Sequence, residues 1–253
     1  MPIHTDVSPN SAELGRRAAA FVAGKIRAVV AELGPARNAR VIFATGASQF
    51  DFLAALVATP GVAWDKVDCF HLDEYVGLEG GQAHPASFRK YLQERLFSKV
   101  TPAPASVNLL DPDNIEAYDA LLAAAPIDLA CIGIGENGHI AFNDPPVADF
   151  SDPVLVKLVE LDEACRLQQV GEGWFESLDT CPTHAATLTV PAIMRCACIS
   201  CVVPDARKAE AVLGCLNAEV STACPATIMR NHADTHLWLD VASSSLLASA
   251  GSK

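Results

Sequence analysis

The residues best suited to chemistry fall in four places. One is the stretch Gly133-Ile134-Gly135-Glu136-Asn137-Gly138-His139-Ile140-Ala141-Phe142-Asn143-Asp144; the others are the pair Asp73-Glu74, the turn Thr45-Gly46-Ala47-Ser48, and Lys208. Histidine is the side chain that exchanges protons most readily near neutral pH, and His139 has Asp144 five residues beyond it. A carboxylate beside an imidazole favours its charged form, whereas Asn137 can only orient the ring by hydrogen bonding. Glu136 reads as a solvated turn residue. Two adjacent carboxylates after a strand can supply a general base, held partly protonated by its neighbour or by burial; they can equally form an exposed acidic turn. Magnesium would suit their hard oxygens, but no wider acidic cluster surrounds them. At Thr45-Gly46-Ala47-Ser48 a turn runs into a helix, where unpaired amides and hydroxyls can hold an anion. The turn lacks a P-loop lysine and the spacing of a dinucleotide fingerprint, so it fits a small monophosphate better than ATP or NAD. Lys208, or Arg207 beside it, can reach such an anion or simply face solvent.

These residues need strands and helices to converge. Val41-Ile42-Phe43-Ala44, Val67 to Leu72, Ile127 to Ile132, Cys196 to Val203 and His236 to Leu239 read as buried strands. Ser11 to Leu33 carries apolar residues three and four apart and predicts an amphipathic helix, ended by Gly34-Pro35. Further helices are expected over Phe50 to Val57, from Pro85 and Ser87 through Leu96, over Ile115 to Ala124, and from Asp205 to Leu216. Thr101 to Pro112 reads as a loop, Val154 to Val159 alternates loosely, and Gly171-Glu172-Gly173 marks another loop. Strands alternate with helices and no linker intervenes. The fold class expected is α/β: a single doubly wound, mostly parallel sheet with helices on both faces, Rossmann-like in outline, forming one domain over residues 1–253.

Composition narrows the function classes. The formal charge is −12, from 30 acidic against 18 basic residues, which argues against a general nucleic-acid surface. A local anion pocket built from backbone amides would escape that count. No segment has the unbroken apolar length of a membrane span, and the start lacks a signal peptide's pattern. The nine cysteines are odd in number and several lie in apolar strand-like runs, so free thiols in a reduced cytoplasmic compartment are expected. His71, His84, His184, His232 and His236 show no zinc-site spacing.

Taken together, Thr45-Gly46, Leu72-Asp73-Glu74-Tyr75-Val76-Gly77, the Gly133 to Asp144 segment and Lys208 closely resemble the glucosamine-6-phosphate deaminase (isomerising) family, which is related to the 6-phosphogluconolactonases. The matching motifs are ordered along almost the whole chain. The resemblance implies conversion of an amino-sugar 6-phosphate and water to a ketose 6-phosphate and ammonia, with no cofactor and no metal. It implies that His139 assists ring opening, tuned by Asn137 and Asp144, and that Asp73 moves the C2 proton. It places the phosphate on Thr45, Gly46, Ala47 and Ser48, with charge from Lys208 and with Arg166 as the candidate for a further phosphate-binding arginine. A homo-oligomer is compatible with it. Two departures stand out: many relatives read Thr-Gly-Gly-Thr-Pro where this chain has Thr45-Gly46-Ala47-Ser48-Gln49, and some place aspartate at Asn137 and glutamate at Asp144. The alternatives are a lactonase that uses His139 to activate water, and a sugar-phosphate-binding regulator. Tyr75 favours the deaminase over the first, because such lactonases usually carry Asp-Glu-Arg. The absence of a basic stripe disfavours the second.

Overall fold

The computed structural model describes residues 3–247. In chain order the first strands are β1 (His4–Ser8), β2 (Ala39–Phe43), β3 (Val67–His71), β4 (Asp73–Tyr75) and β5 (Ser106–Asn108). Then come β6 (Leu129–Ile132), β7 (Val156–Glu160), β8 (His184–Leu188), β9 (Cys198–Val203) and β10 (Thr235–Asp240). Seven of them form one sheet in the order β1-β10-β9-β6-β2-β3-β5, and every pairing in it is parallel.

Successive residues of a strand face opposite ways, so a sheet covered on both sides must be apolar at every position. β2 meets this requirement, with all of Ala39–Phe43 buried. Val41 and Phe43 pack with α1 (Ser11–Leu33), α2 (Phe50–Ala58) and α3 (Phe88–Leu92). Ile42, between them, packs on the other face with Tyr118 and Leu122 of α4 (Ile115–Ala123). Four more helices follow the chain: α5 (Glu163–Gly171), α6 (Val190–Met194), α7 (Ala209–Asn217) and a short 3₁₀ segment, Pro225–Asn231. The expected doubly wound sheet with helices on both faces is therefore present. No helix among the described residues is long and apolar enough to cross a membrane.

Five elements were not foreseen. β1 is a polar, largely exposed edge strand, and such a sequence carries no buried-strand pattern. The stretch expected to be loop, Thr101 to Pro112, contains β5, which extends the sheet beyond β3. α5 and α6 occupy stretches left unassigned. The most consequential is β8, which pairs antiparallel with β4 on one side and β7 on the other, forming a second sheet of three strands. The run Val67 to Leu72 thus does not continue straight on. After Leu72 the chain leaves the parallel sheet and enters the small one at Asp73.

Candidate active site

In an open parallel sheet, ligands collect beyond the carboxyl ends of the strands. Thr45 follows β2, Asp73 follows β3, Gly133 follows β6 and Lys208 follows β9. All four line one cleft, with Gly46, Ala47, Ser48, Gly135, His139 and Glu172.

The alternation of β4 separates the two carboxylates. Asp73 lines the cleft, where burial pushes its carboxyl well above the ordinary aspartate value and the nearby Glu74 charge adds to the effect. Glu74 is fully buried and accepts from the Ser87 hydroxyl at 2.7 Å and from the amides of Phe88 and Arg89 at 3.1 and 3.0 Å. A carboxylate there complements the positive N-terminal end of α3, which Ser87 caps. Glu74 therefore anchors the strand that presents Asp73 and, through its charge, helps to raise that carboxyl.

The loop after β6 fixes His139. Its backbone amide donates to Asn137 Oδ1 at 3.1 Å, while Asn137 Nδ2 donates to Asp144 Oδ1 at 2.9 Å. His139 Nδ1 lies 2.6 Å from the same Asp144 oxygen, a close approach in which the ring N–H is not lined up on that oxygen. Burial by itself would raise the Asp144 pKa, but the imidazole and the donors around it overcome this and hold the carboxyl below its usual value. Gly135 makes room for the ring. A Cβ there would sit 2.2 to 2.5 Å from three imidazole atoms, so no other residue fits without moving His139. The loop is tied down by β8: Phe142 N donates to the Thr187 hydroxyl at 3.0 Å, and Asn143 Nδ2 donates to the Leu188 carbonyl at 2.8 Å. Thr187 is also the residue paired with Asp73 across the small sheet. One strand therefore sets both Asp73 and His139.

At the other end of the cleft is the turn expected to hold phosphate. Gly46 has φ +91°, a conformation that a side chain would strain, and Tyr91 donates to its carbonyl at 2.9 Å. Ala47 opens a short 3₁₀ turn leading into α2. Lys208 is buried, and that burial lowers its pKa against the opposing pull of Glu172 and Glu136. Its closest acidic group is Glu172, with Oε1 3.8 Å from Nζ. Arg166 is not in the cleft. Its guanidinium donates to the carbonyls of Leu178 and Cys181, fastening the loop after α5.

His139, Asp144 and Cys165 offer ligand atoms within 4.8 Å of one another. Burial raises the Cys165 thiol well above its ordinary value, with Asp144 adding to the shift.

Residues 9–152 match the model of the glucosamine-6-phosphate isomerases/6-phosphogluconolactonase family. A glucosamine-6-phosphate deaminase from Exiguobacterium sibiricum is 37% identical over 193 residues, covering 73% of this chain and 74% of that protein. The chain belongs to this isomerase and lactonase family. A deaminase from Bacillus cereus strain G9842 is 35% identical over 217 residues, covering 84% of this chain and 80% of its own. The solved structure of a monomeric glucosamine-6-phosphate deaminase superposes with a TM-score of 0.85 at 27% identity, covering 96% of this chain and all (100%) of that one. A putative 6-phosphogluconolactonase from Neisseria gonorrhoeae shares the fold, with a TM-score of 0.72 at 19% identity over 94% of this chain and 99% of its own.

Within this cleft, the sequence reading missed Gln168, Gln169 and Glu172, which approach from α5 and its end. The signal available was Gly171-Glu172-Gly173, an acidic residue between two glycines, but it marked only a loop. Phe88 and Phe142 also line the cleft; their rings stack 5.8 Å apart between centroids.

Proposed function

We propose that the protein is a glucosamine-6-phosphate deaminase, converting glucosamine 6-phosphate and water to fructose 6-phosphate and ammonia. The observation that carries this reading is the presence, in one cleft, of two independent proton-transfer groups: Asp73 on its strand, and His139 with Asp144 behind it. Lactone hydrolysis needs one base to activate water. An aldose-to-ketose rearrangement of a cyclic sugar needs two, one for the ring and one for the carbon chain.

In the proposed sequence His139 takes the proton of the anomeric hydroxyl and returns one to the ring oxygen, opening the sugar to its aldehyde. Asp144 balances charge on the imidazole during that exchange. Asp73 then removes the proton at C2 as the aldehyde oxygen takes up one proton, leaving an enolamine, and delivers its proton to C1 while the nitrogen gives one up. The product is the C2 imine of a ketose. Water adds to that carbon, ammonia leaves, and the ketone remains. A carbon acid of this kind calls for a strong base, and burial makes Asp73 a stronger base than an exposed aspartate. The amides of Gly46, Ala47 and Ser48 and the ammonium of Lys208 would bind the phosphate, whose distance from C1 and C2 lets binding energy orient the reacting carbons.

The chain is proposed to act as one domain in the cytoplasm, where its nine free cysteines, eight of them buried, would stay reduced. The test is ammonia release from glucosamine 6-phosphate, run beside hydrolysis of 6-phosphogluconolactone. Ammonia without lactone hydrolysis is the expected result. Lactone hydrolysis without ammonia would replace this reading with the lactonase one.

A further inference from the structure

Where the proposed reaction requires an anion next to Lys208, the protein already supplies one of its own. Glu172 sits at the C-terminal end of α5. Its Oε1 lies 3.8 Å from Lys208 Nζ, and its Oε2 accepts from the Ala47 amide at 3.5 Å. Gln168 Nε2 donates to Oε1 at 2.8 Å, and Trp174 Nε1 donates to Oε2 at 3.1 Å. A carboxylate that gathers an ammonium, a loop amide and two side-chain N–H groups is held as a bound anion would be. The Glu172 side chain is 5% exposed and that of Lys208 4%. Two buried charges of opposite sign each offset the cost of desolvating the other, and losing one leaves the other in need of a partner.

A phosphate on the same amides would lie within a few ångströms of this carboxylate. Like charges that close in a site sheltered from water repel strongly. The carbonyl end of α5 adds negative character of its own at that point. Phosphate and carboxylate therefore exclude each other from the subsite. The two sides of the subsite differ in how they are attached: the Ala47 amide belongs to the packed turn after β2, whereas Glu172, Gln168 and Trp174 all belong to α5 and its end. A shift of that one segment empties the subsite.

We propose that Glu172 is an internal stand-in for the substrate's phosphate, occupying the anion subsite in the free protein and giving way when phosphate binds. It would thereby be a specificity-determining residue. A phosphate can replace the carboxylate as the counter-charge of Lys208, whereas the neutral hydroxymethyl end of an unphosphorylated amino sugar cannot. The inference rests on the sugar-phosphate reading of the cleft.

The test compares wild type, Glu172→Gln and Trp174→Phe, titrated with inorganic phosphate under tryptophan fluorescence and assayed with glucosamine 6-phosphate and with glucosamine. An occupied subsite weakens apparent affinity by the fraction of molecules in which it is open. Glu172→Gln is therefore expected to bind phosphate roughly tenfold more tightly, with KM for glucosamine 6-phosphate falling in step. Trp174 loses its acceptor when Glu172 leaves, so phosphate should change the emission of wild type and not that of Trp174→Phe. Glu172→Asp, which only shortens the carboxylate's reach, should tighten binding by a smaller factor and serves if the amide variant does not fold. Phosphate affinity unchanged or weakened in the Glu172 variants, with wild type still releasing ammonia from glucosamine 6-phosphate, would overturn this inference alone. A wild type that ignores phosphate and deaminates glucosamine would overturn the sugar-phosphate reading as well.

Discussion

The two ends of the cleft are built in opposite ways. At the proton-transfer end, the small sheet fixes the groups: Asp73 is part of β4, paired with Thr187, and the Thr187 hydroxyl in turn holds the loop that carries His139. At the anion end, Lys208 meets a carboxylate held by side chains from the end of a single helix. The first arrangement keeps acid and base groups where a reaction needs them, at the cost of burying Asp73. The second leaves the site electrostatically satisfied when empty. Catalytic geometry is thus preset, while binding is an exchange of one anion for another.

Substitutions at the proton-transfer end should damage turnover, and those at the anion end should alter binding. Asp73→Asn is the largest case: kcat should fall roughly 10³-fold while substrate still binds. It should also stabilise the fold. The folded-state pKa of Asp73 is raised above the ordinary 3.8, so stability is intact below that value and is lost as pH rises through the elevated one. Asparagine does not titrate, and the Tm advantage of the variant should grow as pH rises from 4 toward neutrality; a Tm difference independent of pH would show that Asp73 is not penalised by burial. For the same reason the acid limb of the wild-type rate should lie above the ordinary carboxylate range.

His139→Gln should lower kcat roughly 10²-fold, because open-chain sugar still forms without it. Lys208→Ala should raise KM roughly 10- to 100-fold, the worth of a hydrogen bond to a charged group, with a smaller effect on kcat. An unchanged KM would remove Lys208 from the anion site. Thr187→Val is the smallest: it deletes the acceptor for Phe142 N and should cost about 1 kcal/mol in chemical denaturation. If its loss in kcat exceeds its loss in stability, β8 positions the chemistry and does more than hold the fold.

The same division governs what the sequence could reveal. β2, β6 and β9 are covered on both faces, so they appear as continuous apolar runs, and the doubly wound sheet follows from them. His139, Asp144 and Asp73 could be picked out because glycine-rich turns and strand ends have a local signature. β8 could not: His184-Ala185-Ala186-Thr187-Leu188 is short and rich in alanine, and its pairing with β4 spans over a hundred residues of chain. Asp73-Glu74 was legible as a carboxyl raised by burial and by its neighbour, but not the alternation along β4 that leaves only Asp73 lining the cleft. Glu172 escaped for a related reason. Its meaning comes from Lys208 and Ala47, which are distant in sequence, and nothing local distinguishes it from a solvated loop residue. Arg166 shows the reverse: its residue type suited phosphate, but nearby carbonyls claim it.

The central claim is that Asp73 breaks the bond from C2 to hydrogen. Glucosamine 6-phosphate labelled with deuterium at C2, followed in a single turnover by wild type, Asp73→Asn and His139→Gln, tests it directly. The account predicts cleavage of the label by wild type, slower cleavage by His139→Gln, and none by Asp73→Asn with substrate still bound. Loss of the C2 deuterium from Asp73→Asn at the wild-type rate would contradict it.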